Sequence, residues 1–294
     1  MRQSGTGRID AHHHLWDLDA VHYPWLMAKG EVRFFGDPAP IARNYLLDEF
    51  SADARRHGIA GSVHIQVGAA DGLAEARWVD AIARQDGWQM RQVAFCDLSS
   101  ETLEDDIAAL CALSSVAGVR QIIGRAPGED ALTGTRELIT SSAFQKGLAY
   151  LAEKDLTFDL QLLPELMEPM ANVLSSVPDL RVALCHAGSP YDRSAQGIAS
   201  WAKSLEALSS LPQVTAKLSG LGMFAHGWQA DDFAPITSAV LDQFGAKRVM
   251  FGSNFPVCSL TSSYAKLFEA YEYLVPQQMH DQIFGETAAE FYRF

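Results

Sequence analysis

The chain has 294 residues, of which 48% are hydrophobic, so it is long enough to bury a substantial core. Its formal net charge of -13 argues against a nucleic-acid partner, whose phosphates attract basic surfaces, and against an anionic membrane surface. No run approaches the roughly 18 apolar residues of a membrane-spanning helix. Residues 1–7 lack the apolar stretch of a secretory signal, and the scattered cysteines predict reduced, mostly buried thiols in a cytoplasmic protein.

Short runs rich in β-branched residues alternate with amphipathic helical stretches, a pattern typical of a parallel sheet built from βα units. Strands are predicted at Arg8–Ala11, Gly61–Val67, Arg91–Cys96, Val119–Ile123, Thr157–Leu162, Arg181–Cys185, Gln213–Leu218 and Arg248–Gly252. Helices are predicted at Leu46–His57, Leu73–Arg84, Thr102–Leu113, Glu137–Glu153, Glu165–Val177, Ile198–Leu208, Phe233–Phe244, Tyr264–Tyr273 and Pro276–Tyr292. These elements predict a single α/β domain over residues 1–294, a (β/α)8 TIM barrel with additional C-terminal helices.

The regular spacing is interrupted once, between the first strand and the helix that begins at Leu46. This long segment is aromatic and contains proline, as in Tyr23-Pro24-Trp25 and Phe34-Phe35-Gly36-Asp37-Pro38. A loop of this length either covers a binding site or seals apolar surface at the base of the barrel. Both alternatives stay open, and in the first Trp25 is a candidate substrate contact.

Histidines mark the ends of two predicted strands. Residues two apart on a strand face the same side, so His12 and His14 point together while His13 faces away. Two neutral imidazoles at that spacing are able to chelate zinc. The alternative is that a histidine cluster near a terminus is only a solvated patch. His186 ends the sixth strand, and active sites of this fold assemble at the C-terminal ends of the strands. We therefore predict that His12, His14 and His186 are catalytic residues and the candidate metal ligands.

Other polar residues lie on the predicted strands. Arg120 offers paired N–H donors to a substrate carboxylate, or else forms a structural ion pair. Asp159 and Gln161 share one face of the fifth strand, where Gln161 is a candidate substrate contact. Asp159 is either catalytic or buried in an ion pair with Lys217. His64 is either a hydrogen-bonded core histidine or a substrate contact.

A set of motifs spans the chain in order. They are Asp10–Trp16 followed by Tyr23–Trp25, then Gly118–Gln121, His186–Gly188, Lys217–Gly220 and Met250–Cys258. Together they resemble the amidohydrolase-related lactonases, which include L-fuconolactonase, the rhamnonolactonases and 2-pyrone-4,6-dicarboxylate lactonase. The resemblance implies a distorted (β/α)8 barrel that hydrolyses a lactone or a related carbonyl compound. It also implies that His12, His14 and His186 line the site, in a family where some members use zinc and others do not.

One position departs from the pattern of that family. The eighth-strand motif normally carries an Asp that activates water or receives its proton, and here the residue is Asn254, followed by Phe255 in place of the usual Trp. An amide does not accept a proton near neutral pH and lacks the charge that helps to hold a cation, but it still orients water or a substrate oxygen. Asn254 therefore stays a candidate catalytic residue, Asp159 and His186 are the candidate bases, and zinc is expected to be weakly held or absent.

Three functions remain open at this stage. The first is a hydrolase that opens a small polar lactone, either a sugar-acid or a dicarboxylic lactone, by attack of water on the ring carbonyl. The second is a metal-dependent decarboxylase, a reaction that related barrels catalyse while keeping the Asp that Asn254 replaces. The third is an altered barrel that binds a ligand without catalysis. The expected partner is a small-molecule substrate rather than nucleic acid or a membrane, and a homo-oligomer is compatible with the sequence.

Overall fold

Eight parallel strands form one sheet in which each strand is hydrogen-bonded to the next in sequence order, in a computed structural model that describes residues 7–85, 87–129 and 135–294. The strands are β1 (Arg8–His13), β2 (Ile59–Ile65), β3 (Gln89–Ala94), β4 (Val116–Val119), β5 (Thr157–Leu160), β6 (Val182–Leu184), β7 (Val214–Leu218) and β8 (Val249–Phe251). Parallel strands in this order, with helices between them, confirm the predicted (β/α)8 barrel.

The barrel is tied together beyond β8. The backbone N–H of Asn254 donates to the carbonyl of His12 at 2.6 Å, and the N–H of His14 donates to the carbonyl of Phe255 at 2.7 Å. These bonds join the end of β1 to the segment that follows β8. The barrel closure therefore brings together the two motifs that lie farthest apart in the sequence.

Helices surround the strands. They are α1 (Pro24–Met27), α2 (Leu47–Arg55), α3 (Gly72–Ala83), α4 (Leu103–Cys111), α5 (Thr135–Thr140), α6 (Ser142–Glu153), α7 (Met167–Leu174), α8 (Ala195–Ser209), α9 (Ala234–Phe244), α10 (Tyr264–Leu274) and α11 (Thr287–Tyr292). None of the helices among the described residues is long and apolar enough to cross a membrane.

Two predicted helices differ from the structure. The helix predicted at Glu137–Glu153 is divided at Ser141, whose extended backbone and hydroxyl cap the start of α6. The helix predicted at Pro276–Tyr292 is regular only in α11, and a π-helical turn at Gln282–Glu286 precedes it. Both errors arise because apolar periodicity shows which residues are buried without showing where a cap or a wider turn interrupts the helix.

The interior of the barrel is filled from below by α11. Strand residues that face inward pack with three side chains of α11; the cluster is Ile9, Ala11, Val63, Ile65, Val93, Ala183, Met250, Ala288, Phe291 and Tyr292. Such a packed interior leaves space for a ligand only at the other end of the barrel, where the strands end.

The long segment after β1 covers that other end; we refer to residues 22–36 as the lid. The indole N–H of Trp25 donates to the carbonyl of Val67 at 2.6 Å, and Phe34 stacks on Phe224 with ring centroids 5.3 Å apart. Arg33 forms an ion pair of 2.6 Å with Glu129, whose carboxylate also accepts the N–H of Phe34. Of the two alternatives for this segment, covering a site is therefore confirmed.

Candidate active site

A cavity of about 250 Å³ lies beneath the lid at the C-terminal ends of the strands. Its lining includes the predicted site residues His14, Trp25, Arg120, Gln161, His186 and Asn254. The rest of the wall is largely apolar and aromatic, with Arg33 and Arg125 as further polar groups. No Asp or Glu is among the described residues that line it, so the charged side chains facing a ligand are cationic.

A break in the β1–β2 pairing positions the first histidines. The register shifts between Asp10 and His13, which is the effect of a β-bulge. The ring of His13 consequently lies outside the barrel, stacked on Phe50 with centroids 3.9 Å apart. His12 and His14 face inward, with ring centroids 5.2 Å apart, and His12 lies 4.6 Å from His186. The predicted convergence of these three histidines is therefore found in the structure.

Asp10 fixes this bulge, a role that the sequence analysis did not assign. One oxygen of the Asp10 carboxylate accepts the backbone N–H groups of His12 and Ser253 at 3.1 and 2.9 Å, and the other accepts the Tyr264 hydroxyl at 3.0 Å. Burial raises the pKa of Asp10 to about 6. The sequence contains one signal of this role: Asp10 is an acidic residue inside a buried strand, and a buried carboxylate requires several hydrogen-bond donors around it.

His12 has no hydrogen-bond partner at either ring nitrogen, although both nitrogens are fully buried. Burial lowers its pKa well below the usual value, and the neighbouring His186 acts in the same direction. A neutral imidazole carries one N–H donor and one lone pair. Buried polar groups without partners are uncommon in folded proteins, so His12 is suited to contact a group that the polypeptide itself does not supply.

His186 lies in a tight turn immediately after β6. Its backbone has a left-handed φ of 54°, and its N–H and Nδ1 lie 3.2 and 3.0 Å from the hydroxyl of Ser219. A Cβ at Gly220 would stand 2.3 Å from Nδ1, so only glycine fits beside this ring. Burial lowers the pKa of His186 well below its usual value. The turn thus places a neutral imidazole on the cavity wall. Its Nδ1 is bonded to Ser219, and its Nε2 is available to a ligand.

Asn254 follows β8 and also has a left-handed backbone, with φ of 56°, a conformation that asparagine tolerates better than most residues. Its side-chain amide lies between His14 and Cys258, 3.1 Å from Nε2 of the first and 3.4 Å from Sγ of the second. A Cβ at the nearby Gly252 would lie 2.5 Å from the Cβ of His12, which explains the glycine in this motif. The substituted position is therefore in direct contact with the histidine cluster.

Arg120 is only 3% exposed and has no carboxylate partner among the ion pairs of the described residues. One terminal nitrogen donates to the amide oxygen of Gln161 at 3.1 Å, the other donates to the carbonyl of Gln66, and Nε has no partner. Burial lowers the pKa of its guanidinium. The charges of Asp159 and Glu75 act on Arg120 from a distance, but neither forms an ion pair with it. A buried cation whose hydrogen-bond partners are neutral favours an anionic ligand in the adjoining cavity.

His12, Asp159 and His64 do not line the cavity. Asp159 is buried inside the barrel, where it accepts the Lys217 ammonium at 2.5 Å and the Tyr292 hydroxyl at 2.8 and 3.0 Å, so the predicted pairing with Lys217 is confirmed. His64 faces outward because the neighbours Val63 and Ile65 occupy the inner face of β2. Its ring bonds to the carbonyl of Leu15 at 3.3 Å, so of the two alternatives for His64 the structure shows the hydrogen-bonded core histidine.

One group of buried side chains has the spacing of a metal site. Among the described residues, His12, Asp159 and Cys185 place one ligand atom each within 4.8 Å of one another. However, Lys217 already neutralises Asp159, and burial raises the pKa of the Cys185 thiol to about 12, so zinc would have to displace an ammonium from the first and a proton from the second. Zinc sites use deprotonated ligands. With Asn254 neutral as well, these residues do not fit a tightly bound zinc ion.

Comparison with known proteins agrees with this architecture. Residues 9–294 match the amidohydrolase family. The chain belongs to this family. It is 30% identical over 291 residues to the uncharacterised protein y4mH of Sinorhizobium fredii, covering 97% of this chain and 98% of that protein. It is 29% identical over 303 residues to an L-fucono-1,5-lactonase of Burkholderia multivorans, covering 98% of this chain and 96% of the lactonase.

A solved structure extends the comparison. An amidohydrolase from Burkholderia multivorans, crystallised with bound zinc, superposes with a TM-score of 0.83 at 26% identity and covers 98% of this chain and 99% of its own. Family membership and lactonase-named relatives support a hydrolase of the amidohydrolase type. The zinc belongs to that relative, and the ligand set of the present chain must be judged on its own residues.

Proposed function

We propose that this protein is a lactonase that opens a small, anionic lactone by attack of water on the ring carbonyl. The observation that carries the proposal is Arg120, a buried guanidinium without a carboxylate partner, on the wall of a cavity that also presents His14, His186 and Asn254. The relatives named as L-fucono-1,5-lactonases support the reaction class. The net negative charge of the chain does not oppose an anionic substrate, because the side chains that line a cleft set its local field.

The substrate carboxylate would bind Arg120, which offers an unpaired Nε, with Gln161 fixing the plane of the guanidinium. Trp25 and the other aromatic side chains of the lid would pack on the ring and exclude bulk water. This arrangement places the lactone carbonyl towards the histidines at the ends of β1 and β6. Arg120 therefore supplies orientation, which is among the larger contributions that an active site makes.

His186 would act as the general base. With Nδ1 donating to Ser219, Nε2 carries the lone pair that accepts a proton from water as the oxygen attacks the carbonyl carbon. The ring C–O bond then breaks, and the same proton passes from His186 to the leaving alkoxide, so the product is a hydroxy acid. A depressed pKa keeps His186 neutral and available at pH 7. His12 does not line the cavity, and its role in this scheme is to pack against His186, with ring centroids 4.6 Å apart.

The experiment is a panel of carboxylated and neutral lactones, followed by the acid released on ring opening. His186→Asn retains the left-handed turn and a group that bonds Ser219 but removes Nε2. We expect kcat to fall about 10²- to 10⁴-fold, the usual contribution of a general base. His280→Asn, at a partly exposed position outside the lid and the cavity wall, is the matched control. Wild-type protein that opens none of the lactones, or an unchanged kcat for His186→Asn, would contradict the proposal.

A further inference from the structure

We propose that Asn254 donates a hydrogen bond from its amide to Nε2 of His14, with the Cys258 thiol fixing the amide orientation, so that His14 is withheld from zinc. The proposal deepens the proposed function and rests on it only for the identity of the site. It assigns a role to the residue that stands where the family pattern has Asp. It also explains how the cavity operates with a donor set that does not fit zinc.

The first step is the tautomer of His14. Nδ1 lies 2.7 Å from the backbone carbonyl of Ile65, and a carbonyl oxygen only accepts, so Nδ1 carries a proton. The ring is 3% exposed and contacts no carboxylate among the described hydrogen-bond partners, while the buried cation Arg120 lies nearby. A second proton would create another buried cation without a counter-charge. His14 is therefore neutral, and Nε2 carries the lone pair.

The second step is the orientation of the Asn254 amide. The structure sets Oδ1 towards His14 and Nδ2 towards Cys258, so with a neutral His14 the 3.1 Å contact joins two acceptors, the amide oxygen and the imidazole lone pair. Both ends of an amide have nearly the same shape, so the hydrogen-bond partners decide which end faces which. With Nδ2 towards His14, the amide donates to Nε2. Its oxygen then accepts the S–H of Cys258, whose pKa burial raises to about 12, so that it stays a thiol.

A chain of donors and acceptors results, in which every group is satisfied. It runs from the Cys258 thiol through the Asn254 amide and the His14 ring to the Ile65 carbonyl. Zinc binds imidazole through the nitrogen lone pair, at about 2.0–2.1 Å, and here that direction is occupied by an N–H donor. An Asp at position 254 would instead set a carboxylate oxygen against the lone pair. Such a pair requires a proton or a metal cation between its members.

The first measurement is nitrogen NMR of wild-type protein labelled in its histidine rings, with His14 assigned from the spectrum of His14→Gln. We expect neutral His14 at pH 7, protonated at Nδ1, with Nε2 accepting a hydrogen bond. Protonation at both nitrogens, or at Nε2 alone, would overturn the proposal. The protonation state is read from the wild-type chain, and a through-bond spectrum of the wild-type rings assigns His14 if His14→Gln fails to fold.

The second measurement is zinc affinity, determined by competition with a chelating dye. We expect Asn254→Asp to bind zinc on the order of tenfold or more tightly than wild type, and His14→Gln in that background to remove the gain. Asn172→Asp, which adds the same charge at an exposed position on α7, is the control and should leave the affinity unchanged. The proposal would be overturned if wild type and Asn254→Asp bind zinc equally tightly and the single variant His14→Gln loses that binding.

The two proposals fail in different ways. If the wild-type protein opens no lactone while His14 is the expected tautomer, the substrate assignment is wrong and the role of Asn254 stands. If lactones are opened while His14 is a zinc ligand in wild type, the function stands and the role of Asn254 is wrong.

Discussion

Lys217 Nζ lies 2.5 Å from Asp159 Oδ2 inside the barrel, and neither side chain is exposed to solvent. The ammonium also donates to the carbonyl of Ala11, and the Tyr292 hydroxyl from α11 donates to the carboxylate. The pair therefore joins β1, β5, β7 and the C-terminal helix. Because Asp159 is satisfied by these partners, it is a structural residue and the proton acceptor must be sought on the cavity wall.

Removing one partner of this pair should destabilise the fold strongly. We expect Lys217→Met to lower the free energy of unfolding by about 3–5 kcal/mol, because the buried carboxylate loses its counter-charge. Tyr292→Phe removes one hydrogen bond to the same carboxylate and should cost about 1 kcal/mol. Urea denaturation measures both. The double variant Asp159→Leu with Lys217→Met should be more stable than Lys217→Met alone, and the opposite order would contradict a paired role.

Arg120 should control the recognition of charge. Replacing it by Met removes a buried cation, and charge-assisted hydrogen bonds contribute about 1.5–3 kcal/mol, so KM for carboxylated lactones should rise roughly 10- to 100-fold. Neutral lactones should change little. Arg56→Met, which removes a surface arginine paired with Asp53, is the control. Equal losses for charged and neutral substrates, measured from initial rates, would mean that Arg120 acts on the fold rather than on the substrate.

The ion pair between Arg33 and Glu129 should hold the lid closed. Both side chains are less than one-fifth exposed, and Glu129 also accepts the backbone N–H of Phe34. We expect Glu129→Gln to raise KM up to about tenfold, because the bonded charge is lost while the amide keeps the shape. Glu49→Gln, which breaks an exposed ion pair with Arg43, is the control. An unchanged KM alongside an unchanged rate of substrate dissociation would show that the lid does not depend on this pair.

Buried neutral histidines should make the protein sensitive to acid. Burial lowers the pKa of His64 to about 4, against 6.5 for the ordinary group, so its contribution to stability is present above pH 6.5 and is lost as the pH falls towards 4. The unfolded chain binds the proton first. At pH 5.5 the resulting loss in the free energy of unfolding is about 1.4 kcal/mol for one histidine. His64→Gln should therefore reduce, by about that amount, the loss of stability between pH 7.5 and pH 5.5 in denaturant titrations.

Two buried acids oppose that trend. Burial raises the pKa of Asp10 to about 6 and that of Glu75 to about 7, so their protonated forms stabilise the fold as the pH falls through the same range. Five histidines have a lowered pKa: His12, His13, His14, His64 and His186. We expect the histidines to dominate because more of them titrate. Stability that increases from pH 7.5 to pH 5.5 would contradict this balance.

The sequence predicted the barrel because the alternation of strand and helix periods is a property of local residue patterns. It also predicted that His12, His14, His186 and Asn254 converge, because the ends of parallel strands meet at one end of a barrel. It left His64 undecided between a core histidine and a substrate contact, because the inward face of a strand depends on register with its neighbours. The role of Asp10 was missed, because two of its three donors, Ser253 and Tyr264, lie more than 240 positions away in the chain. Neither the amide contact of Asn254 nor the pairing of Asp159 was decidable without coordinates.

The most direct test of the central claim is lactone opening by wild-type protein from which metal has been stripped with a chelator. The account predicts that a carboxylated lactone is opened at the same rate before and after stripping and that added zinc does not increase the rate. Activity that is lost on stripping and returns with one equivalent of zinc would contradict it.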